Sequence, residues 1–102
     1  MQHDLFRLLS PRASFPADIT PEESAVMREH VGYWKLQMSL GKVLAFGPVA
    51  DPRASYGIAI VRVGEASEVQ SLAENDPAIL SGRGFRFEIH AMPQVLVPGP
   101  EH

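Results

Sequence analysis

The chain has 102 residues, a formal net charge of -3 and 45% hydrophobic residues, values that fit one globular domain. The negative charge, without any cluster of lysines and arginines, argues against nucleic acid as a partner. There is no cysteine, which excludes disulfides and thiolate chemistry. No stretch approaches the roughly 18 apolar residues of a membrane-spanning helix, and residues 1–9 do not resemble a secretory signal, so we expect a cytoplasmic protein that binds no membrane.

A strand and a long helix are predicted in the first part of the chain. The strand covers residues 4–9, and an irregular connection with two prolines follows at residues 10–18. Thr20 is an N-cap and Glu23, three residues later, completes a capping box. The helix runs from there to about Leu40, and Gly41 ends it.

Two antiparallel strands are predicted next. The first is the β-prone run at residues 42–46, which Gly47 and Pro48 end. A loop at residues 49–55 leads to the clearest strand of the chain, residues 56–63. Because Gly57 and Ala59 alternate with isoleucines there, one face of this strand admits close packing.

The last predicted elements are a helix, a short turn and a strand. The helix starts at Ser67 and ends near residue 75, and Asp76 caps a turn over residues 77–80. Residues 81–84 form a second turn before an alternating strand at residues 85–90. From residue 92 the chain is expected to be extended or disordered. We therefore divide it into a domain at residues 1–93 and a proline-rich tail at residues 94–102.

This order, βαββαβ, predicts a ferredoxin-like α+β fold. Two helices would cover one face of a four-stranded antiparallel sheet. The other face, expected to be apolar because Phe, Ile and Leu recur at alternating strand positions, would need a cover of its own. We therefore predict a homodimer in which two sheets pack face to face.

The first helix carries a histidine on its apolar face. At 3.6 residues per turn, one side of this helix presents Val26, His30, Tyr33, Trp34, Gln37 and Leu40. A ring that titrates near neutral pH is thereby directed at the interior or at a pocket wall. His30 is then either a hydrogen-bonded structural residue or a general base.

The combined motifs resemble one known family. They are Pro11-Arg12, Phe15, Asp18, Thr20-Pro21-Glu22-Glu23, Met27, His30, Tyr33-Trp34, Gly41, Gly47-Pro48-Val49, Asp51-Pro52, Tyr56-Gly57, Asp76-Pro77-Ala78 and Gly82. This pattern resembles the YCII-related (YciI-like) family. The resemblance implies a dimeric α/β barrel of ferredoxin-like units, related in fold to antibiotic-biosynthesis monooxygenases and muconolactone isomerases. It also implies a histidine–aspartate active site, which falls here on His30 and Asp76.

Each candidate site residue has a structural alternative. On local grounds Asp76 is a helix cap, although a cap can direct its second oxygen at a histidine, and Asp51 is a rival carboxylate. Trp34 is either a core residue or a pocket wall. Arg12 is either a clamp for an anionic substrate or a solvated charge.

Gly47 and Pro48 either satisfy a backbone requirement or let a ligand approach the main chain. No metal is predicted, since the four histidines, at positions 3, 30, 90 and 102, share no ligand spacing. Haem ligation by His30 is not favoured. No glycine-rich loop opens a helix, so no nucleotide cofactor is expected.

We interpret the chain as a small dimeric enzyme that uses His30 and Asp76, without a cofactor, for elimination, isomerisation or hydrolysis of a small metabolite, aromatic compounds included. Arg12, Trp34, Gly47 and Pro48 are its predicted substrate contacts. The alternatives are a non-catalytic small-molecule-binding or accessory dimer and a purely structural dimer, because this scaffold supports unrelated chemistries.

Overall fold

A computed structural model describes residues 1–99 and shows a four-stranded antiparallel sheet in the order β2-β3-β1-β4. The strands are β1 (Gln2–Leu9), β2 (Val43–Val49), β3 (Tyr56–Val63) and β4 (Arg86–Met92). The helices are α1 (Pro21–Ser39), α2 (Ala66–Glu74) and the single turn α3 (Pro77–Leu80). The predicted ferredoxin-like α+β fold is confirmed. Within residues 1–99, no helix is both long and apolar enough to cross a membrane.

Local signals predicted the limits of α1 well. Thr20 Oγ1 accepts the Glu23 backbone N–H at 3.1 Å, and a Glu23 carboxylate oxygen accepts the Thr20 N–H at 2.9 Å, so the capping box is present. Gly41 adopts φ +79°, the left-handed conformation that ends helices and that glycine adopts without steric cost. The helix ends at Ser39 with Leu40 as its C-cap, close to the predicted end, but the expectation that Leu40 lies on the buried face was wrong, because this residue is 60% exposed.

The prediction that Gly47 and Pro48 end the second strand was also wrong, since β2 continues through them to Val49. β2 lies at the edge of the sheet. An edge strand tolerates proline because its missing N–H can face away from the neighbouring strand. At the other edge, β4 extends to Met92 and not to residue 90. Of the predicted tail, residues 94–99 form neither helix nor strand and residues 100–102 lie outside the described part.

The two faces of the sheet differ in their side chains. Phe6 and Leu8 of β1 point to the helices and pair in register with Ala59 and Gly57 of β3. Two buried clusters on this side join the sheet to α1, α2 and α3. The opposite face, called the open face below, carries aliphatic and charged residues, among them Leu5, Arg7, Ile58, Ile60, Arg86 and Glu88. It is thus less apolar than expected, because the strand phenylalanines lie on the helical side.

Arg12 fixes the connection between β1 and α1. Its Nε donates to the Asp18 carboxylate at 3.0 Å, and its Nη1 and Nη2 donate to the two Glu23 carboxylate oxygens at 2.6 and 2.8 Å. The Arg12 guanidinium, together with the Thr20 N–H, lowers the pKa of Glu23 to about 2. This ion pair therefore attaches the irregular segment to the first turn of α1.

The Arg12–Glu23 contact predicts a specific acid sensitivity. Because the pKa of Glu23 falls from 4.5 in a model peptide to about 2 in the fold, its ionised form stabilises the native state above about pH 4.5, and that contribution is lost as the pH falls towards 2. We expect Glu23→Gln to lower the melting temperature at pH 7 and to differ progressively less from the wild type as the pH approaches 2. Melting curves by circular dichroism between pH 7 and 2 measure this.

Glu22→Gln is the matched control for that experiment, since Glu22 is an exposed glutamate in the same helical turn. It removes the same formal charge near the helix N-terminus. An equal loss of stability in the two variants at every pH would contradict the role assigned to the Arg12–Glu23 pair.

Candidate active site

A cavity of about 210 Å³ lies between α1 and the end of the sheet at which β1 finishes. We call it the inner cavity. Its apolar and aromatic lining comes from Phe6, Leu8, Phe15, Pro16, Met27, Val31, Trp34, Phe46, Gly47, Pro48, Tyr56, Gly57, Ile58, Ala59 and Phe87. The other lining residues are His30, Ser10 and Ser55. An apolar pocket with a few polar groups is the usual form of a small-molecule site.

Small residues of β3 leave the space for this cavity. Gly57 and Ala59 face the helices opposite Leu8 and Phe6. A Cβ added to Gly57 would lie 3.7 Å from the Leu8 Cβ, so an alanine fits there, but a larger side chain would extend into the inner cavity. The alternation of small and branched residues in β3 was visible in the sequence, and the structure shows which face the small residues occupy.

His30 and Asp76 are in direct contact. His30 Nδ1 lies 2.8 Å from Asp76 Oδ2 and 2.9 Å from Oδ1, across 46 positions of sequence. The imidazole, at the middle of α1, keeps 15% of its surface accessible, whereas the Asp76 side chain is completely buried. The histidine thus forms part of the cavity wall, and the aspartate lies behind it.

Asp76 has two further hydrogen-bond donors. The Trp34 indole Nε1 donates to Oδ2 at 2.7 Å, and the Ala78 backbone N–H donates to Oδ1 at 2.8 Å. Asp76 is therefore the N-cap of α3 and the partner of His30 at the same time. The two roles that the sequence left as alternatives are compatible because a carboxylate has two oxygens with several acceptor positions.

This arrangement determines which nitrogen of His30 is available to a ligand. An ionised carboxylate only accepts hydrogen bonds, so Nδ1 of His30 carries a proton and donates it to Asp76. In the neutral ring, Nε2 then holds the free lone pair. Because Asp76 occupies the Nδ1 edge and the ring lines the inner cavity, Nε2 is the nitrogen that can meet a bound molecule.

Tyr33 packs beside Trp34, on the side of the His30–Asp76 pair that faces away from the cavity. Its hydroxyl donates to the Leu72 carbonyl at 2.8 Å, which joins α1 to α2. Burial, and secondarily the negative charge of Asp76, raise the pKa of Tyr33. Its ring also packs edge-to-face on Trp34, with centroids 5.6 Å apart. Tyr33 therefore supports the Trp34–Asp76 hydrogen bond and does not line the cavity.

The structure places the other predicted site residues in different surroundings. Trp34, Gly47 and Pro48 line the inner cavity. Arg12 does not, and its donors are largely used by Asp18 and Glu23. Asp51 accepts the Arg53 backbone N–H and guanidinium within the β2–β3 loop, which lowers the pKa of Asp51. It is a turn residue and does not contact His30.

Several cavity residues were not singled out from the sequence. Phe15 and Pro16 come from the irregular connection, Met27 from α1, and Phe46 and Phe87 from β2 and β4. Their hydrophobicity indicated burial, but nothing local to them indicated a shared cavity. No group of three or more histidine, aspartate or glutamate side chains suited to a metal ion occurs in residues 1–99.

Comparison with known proteins identifies the family. The sequence model of the YCII-related domain matches residues 10–93. No functionally curated protein sequence matches the chain. Among solved structures, the chain resembles 5-chloro-2-hydroxyhydroquinone dehydrochlorinase (TftG) from Burkholderia phenoliruptrix AC1100, in complex with 2,5-dihydroxybenzoquinone, with a TM-score of 0.59 and 22% sequence identity over 88% of this chain and 91% of that chain.

At this identity the structural likeness shows a shared fold. The domain match, in contrast, covers most of the sequence and includes the motifs that carry His30 and Asp76. The family resemblance seen in those motifs is thereby confirmed, and the chain belongs to the YCII-related family.

Proposed function

We propose that this protein is a small enzyme that performs cofactor-independent acid–base chemistry on a ring-sized metabolite, with His30 as the general base. The observation that carries the proposal is the 2.8 Å contact between His30 Nδ1 and the buried Asp76 carboxylate, beside an apolar cavity that the imidazole lines. A titratable ring oriented by a buried carboxylate and open to a pocket on its other edge is the arrangement that general acid–base catalysis needs.

The pair supports proton transfer better than nucleophilic catalysis. Ser10 Oγ, one of the two serine hydroxyls at the cavity, donates to the Ser55 carbonyl at 2.6 Å and makes no hydrogen bond with His30. His30 Nε2 would instead take a proton from an acidic C–H or O–H of the substrate and return it at another position or to a leaving group. Elimination and isomerisation need this shuttle alone, whereas hydrolysis would use Nε2 to activate water.

The cavity favours a single-ring ligand. An engineered cavity of about 150 Å³ in another protein binds benzene, so about 210 Å³ accommodates one ring with small substituents. The structural neighbour is named as a dehydrochlorinase of a hydroxyhydroquinone and holds 2,5-dihydroxybenzoquinone. A substituted six-membered ring is thus the substrate class that size, apolar lining and fold likeness support together.

The open face of the sheet supports a homodimer. The three helices pack on the opposite side, which leaves Leu5, Ile58 and Ile60 together on neighbouring central strands. Burial of such aliphatic side chains contributes about 1.5–3 kcal/mol each. We propose that a second copy of the chain covers this patch, sheet against sheet.

The first test of the enzyme proposal is to measure binding and proton exchange together. Small phenols, quinols and lactones, 2,5-dihydroxybenzoquinone included, are screened by thermal shift, and each compound that binds is incubated with the protein in deuterium oxide. We expect the wild type to incorporate deuterium into a bound compound or convert it, as detected by NMR and mass spectrometry. His30→Gln retains a donor towards Asp76 but lacks the base, so it should bind the compound and lose about 10²–10⁴-fold in exchange rate.

Two further variants separate the base from its support. Asp76→Asn is expected to slow exchange, because an amide N–H towards Nδ1 imposes the wrong tautomer. Trp34→Phe keeps the ring packing, removes one donor to Asp76 and should have a smaller effect on the exchange rate.

Gly57→Leu should abolish ligand binding by filling the inner cavity, whereas Gly57→Ala should retain it.

The outcomes distinguish the three classes of function. Binding without exchange or conversion would overturn the enzyme and favour a binding module. An exchange rate unchanged in His30→Gln would overturn the role of His30 as base. If no compound binds and His30→Gln and His30→Ala only lower the melting temperature, the histidine is structural.

The dimer is tested by the oligomeric state in solution. We expect the wild type to have the mass of two chains in light scattering after gel filtration, and Ile60→Glu to be monomeric, because the substitution places a charge at the centre of the apolar patch. Leu36→Glu is the control, since Leu36 is 56% exposed on α1. A monomeric wild type, or equal dissociation in both variants, would contradict the interface.

A further inference from the structure

Two serines add polar groups to the sheet wall of the inner cavity. Ser10 directly follows β1, Ser55 directly precedes β3, and both line the cavity; we call them the serine pair. Leu8 of β1 lies opposite Gly57 of β3 on the helical side of the sheet. Because side chains alternate along a strand, extending this register by two residues places the serines opposite each other on that same side. They therefore face the helix that carries His30 and not the open face.

The two hydroxyls differ in what they can offer a ligand. The Ser10 hydroxyl donates its proton to the Ser55 carbonyl at 2.6 Å, so towards a ligand its oxygen can only accept. Ser55 Oγ makes no hydrogen bond with any residue in the described range 1–99. Buried side-chain oxygens in that range all have a partner, so Ser55 Oγ is accessible to a ligand. The Ser55 hydroxyl keeps its proton and can both donate and accept.

A hydroxyl on the ligand is the substituent that matches this pair. It can donate to Ser10 Oγ and accept from the Ser55 hydroxyl, which uses both of its own hydrogen-bonding functions. A ring ketone oxygen only accepts, so it can be paired with Ser55 alone. A carboxylate also only accepts, and it would meet neither lysine nor arginine among the described residues that line the cavity. The chemistry of the pair therefore favours a neutral hydroxyl.

We infer that the serine pair binds a hydroxyl substituent of the ring, and that the preferred ligand is a hydroxylated ring with a second, acidic position for His30. The inference rests on the proposed function, because the ring must occupy the inner cavity. His30 belongs to the helix wall of that cavity and the serines to its sheet wall. A ring that fills a space of this size contacts both walls. Ser10 and Ser55 are thus positioning residues, which hold the part of the ligand that does not react.

Dihydroxybenzenes and methylphenols provide matched ligands for the test. Catechol, resorcinol and hydroquinone carry their second hydroxyl at different ring positions, and each corresponding methylphenol has a methyl group of similar size there. Both series are neutral at neutral pH. Dissociation constants are measured by calorimetry under nitrogen, on the protein in its own oligomeric state. We expect at least one dihydroxybenzene to bind the wild type about 3–10-fold more tightly than its methylphenol, which is the usual net effect of one hydrogen bond.

Ser55→Ala should weaken binding of that dihydroxybenzene to the level of its methylphenol and leave methylphenol binding unchanged. The melting temperature should stay the same, because the substitution keeps the backbone carbonyl that Ser10 contacts. Ser67→Ala is the control, since Ser67 is exposed on α2 and does not line the cavity, and it should retain the preference. Gly57→Leu should abolish the binding of both series, which shows that the ring occupies the inner cavity.

The results separate the two proposals. If the two series bind the wild type equally, or if the preference persists in Ser55→Ala, the role of the serine pair is overturned while the ring site stands. If none of these compounds binds, the hydroxylated ring is overturned and the proposed function loses its single-ring cavity. If the preference depends on Ser55 but no bound compound exchanges deuterium or is converted, the serine pair is supported and the proposed role of His30 as base fails.

Discussion

The buried carboxylate of Asp76 is the group on which the site depends. It has no exposed surface, and it accepts hydrogen bonds from the His30 ring, the Trp34 indole and the Ala78 backbone. An ionised group in such a position is tolerated only if its acceptor capacity is satisfied, since an unpaired buried charge costs several kcal/mol. The same contacts hold α1 against α3, so the stability of the helical layer and the orientation of the imidazole have a common origin.

The position of the cavity follows from the same layer of packing. Large aromatic side chains from β1, β2 and β4 and from α1 surround the small residues Gly57 and Ala59 of β3, and the helices cannot close the remaining space. His30 supplies a titratable group to a wall that is otherwise mainly apolar. A polar group in such surroundings is partly shielded from water, which strengthens its electrostatic interaction with any molecule that binds there.

Arg12 supports the wall of the inner cavity from outside it. Arg12 fixes the irregular segment that contributes Phe15 and Pro16 to the cavity wall, and its ion pair with Glu23 extends the capping box of α1. Because its donors are largely used by Asp18 and Glu23, Arg12 holds this part of the cavity wall in place and does not itself line the inner cavity.

The sequence by itself determined the elements, because their signals are local: the capping box at Thr20 and Glu23, the left-handed stop at Gly41 and the alternation in β3 act within a few residues. It also placed His30 on a buried helical face.

Only the tertiary structure decided the features that depend on contacts between residues far apart in the sequence. The edge position of β2 let the strand pass through Pro48, and the fold brought Asp76, and not Asp51, to His30 across 46 positions. Local sequence specifies the direction in which a side chain leaves its helix, whereas the group that it meets depends on how the helices and the sheet pack.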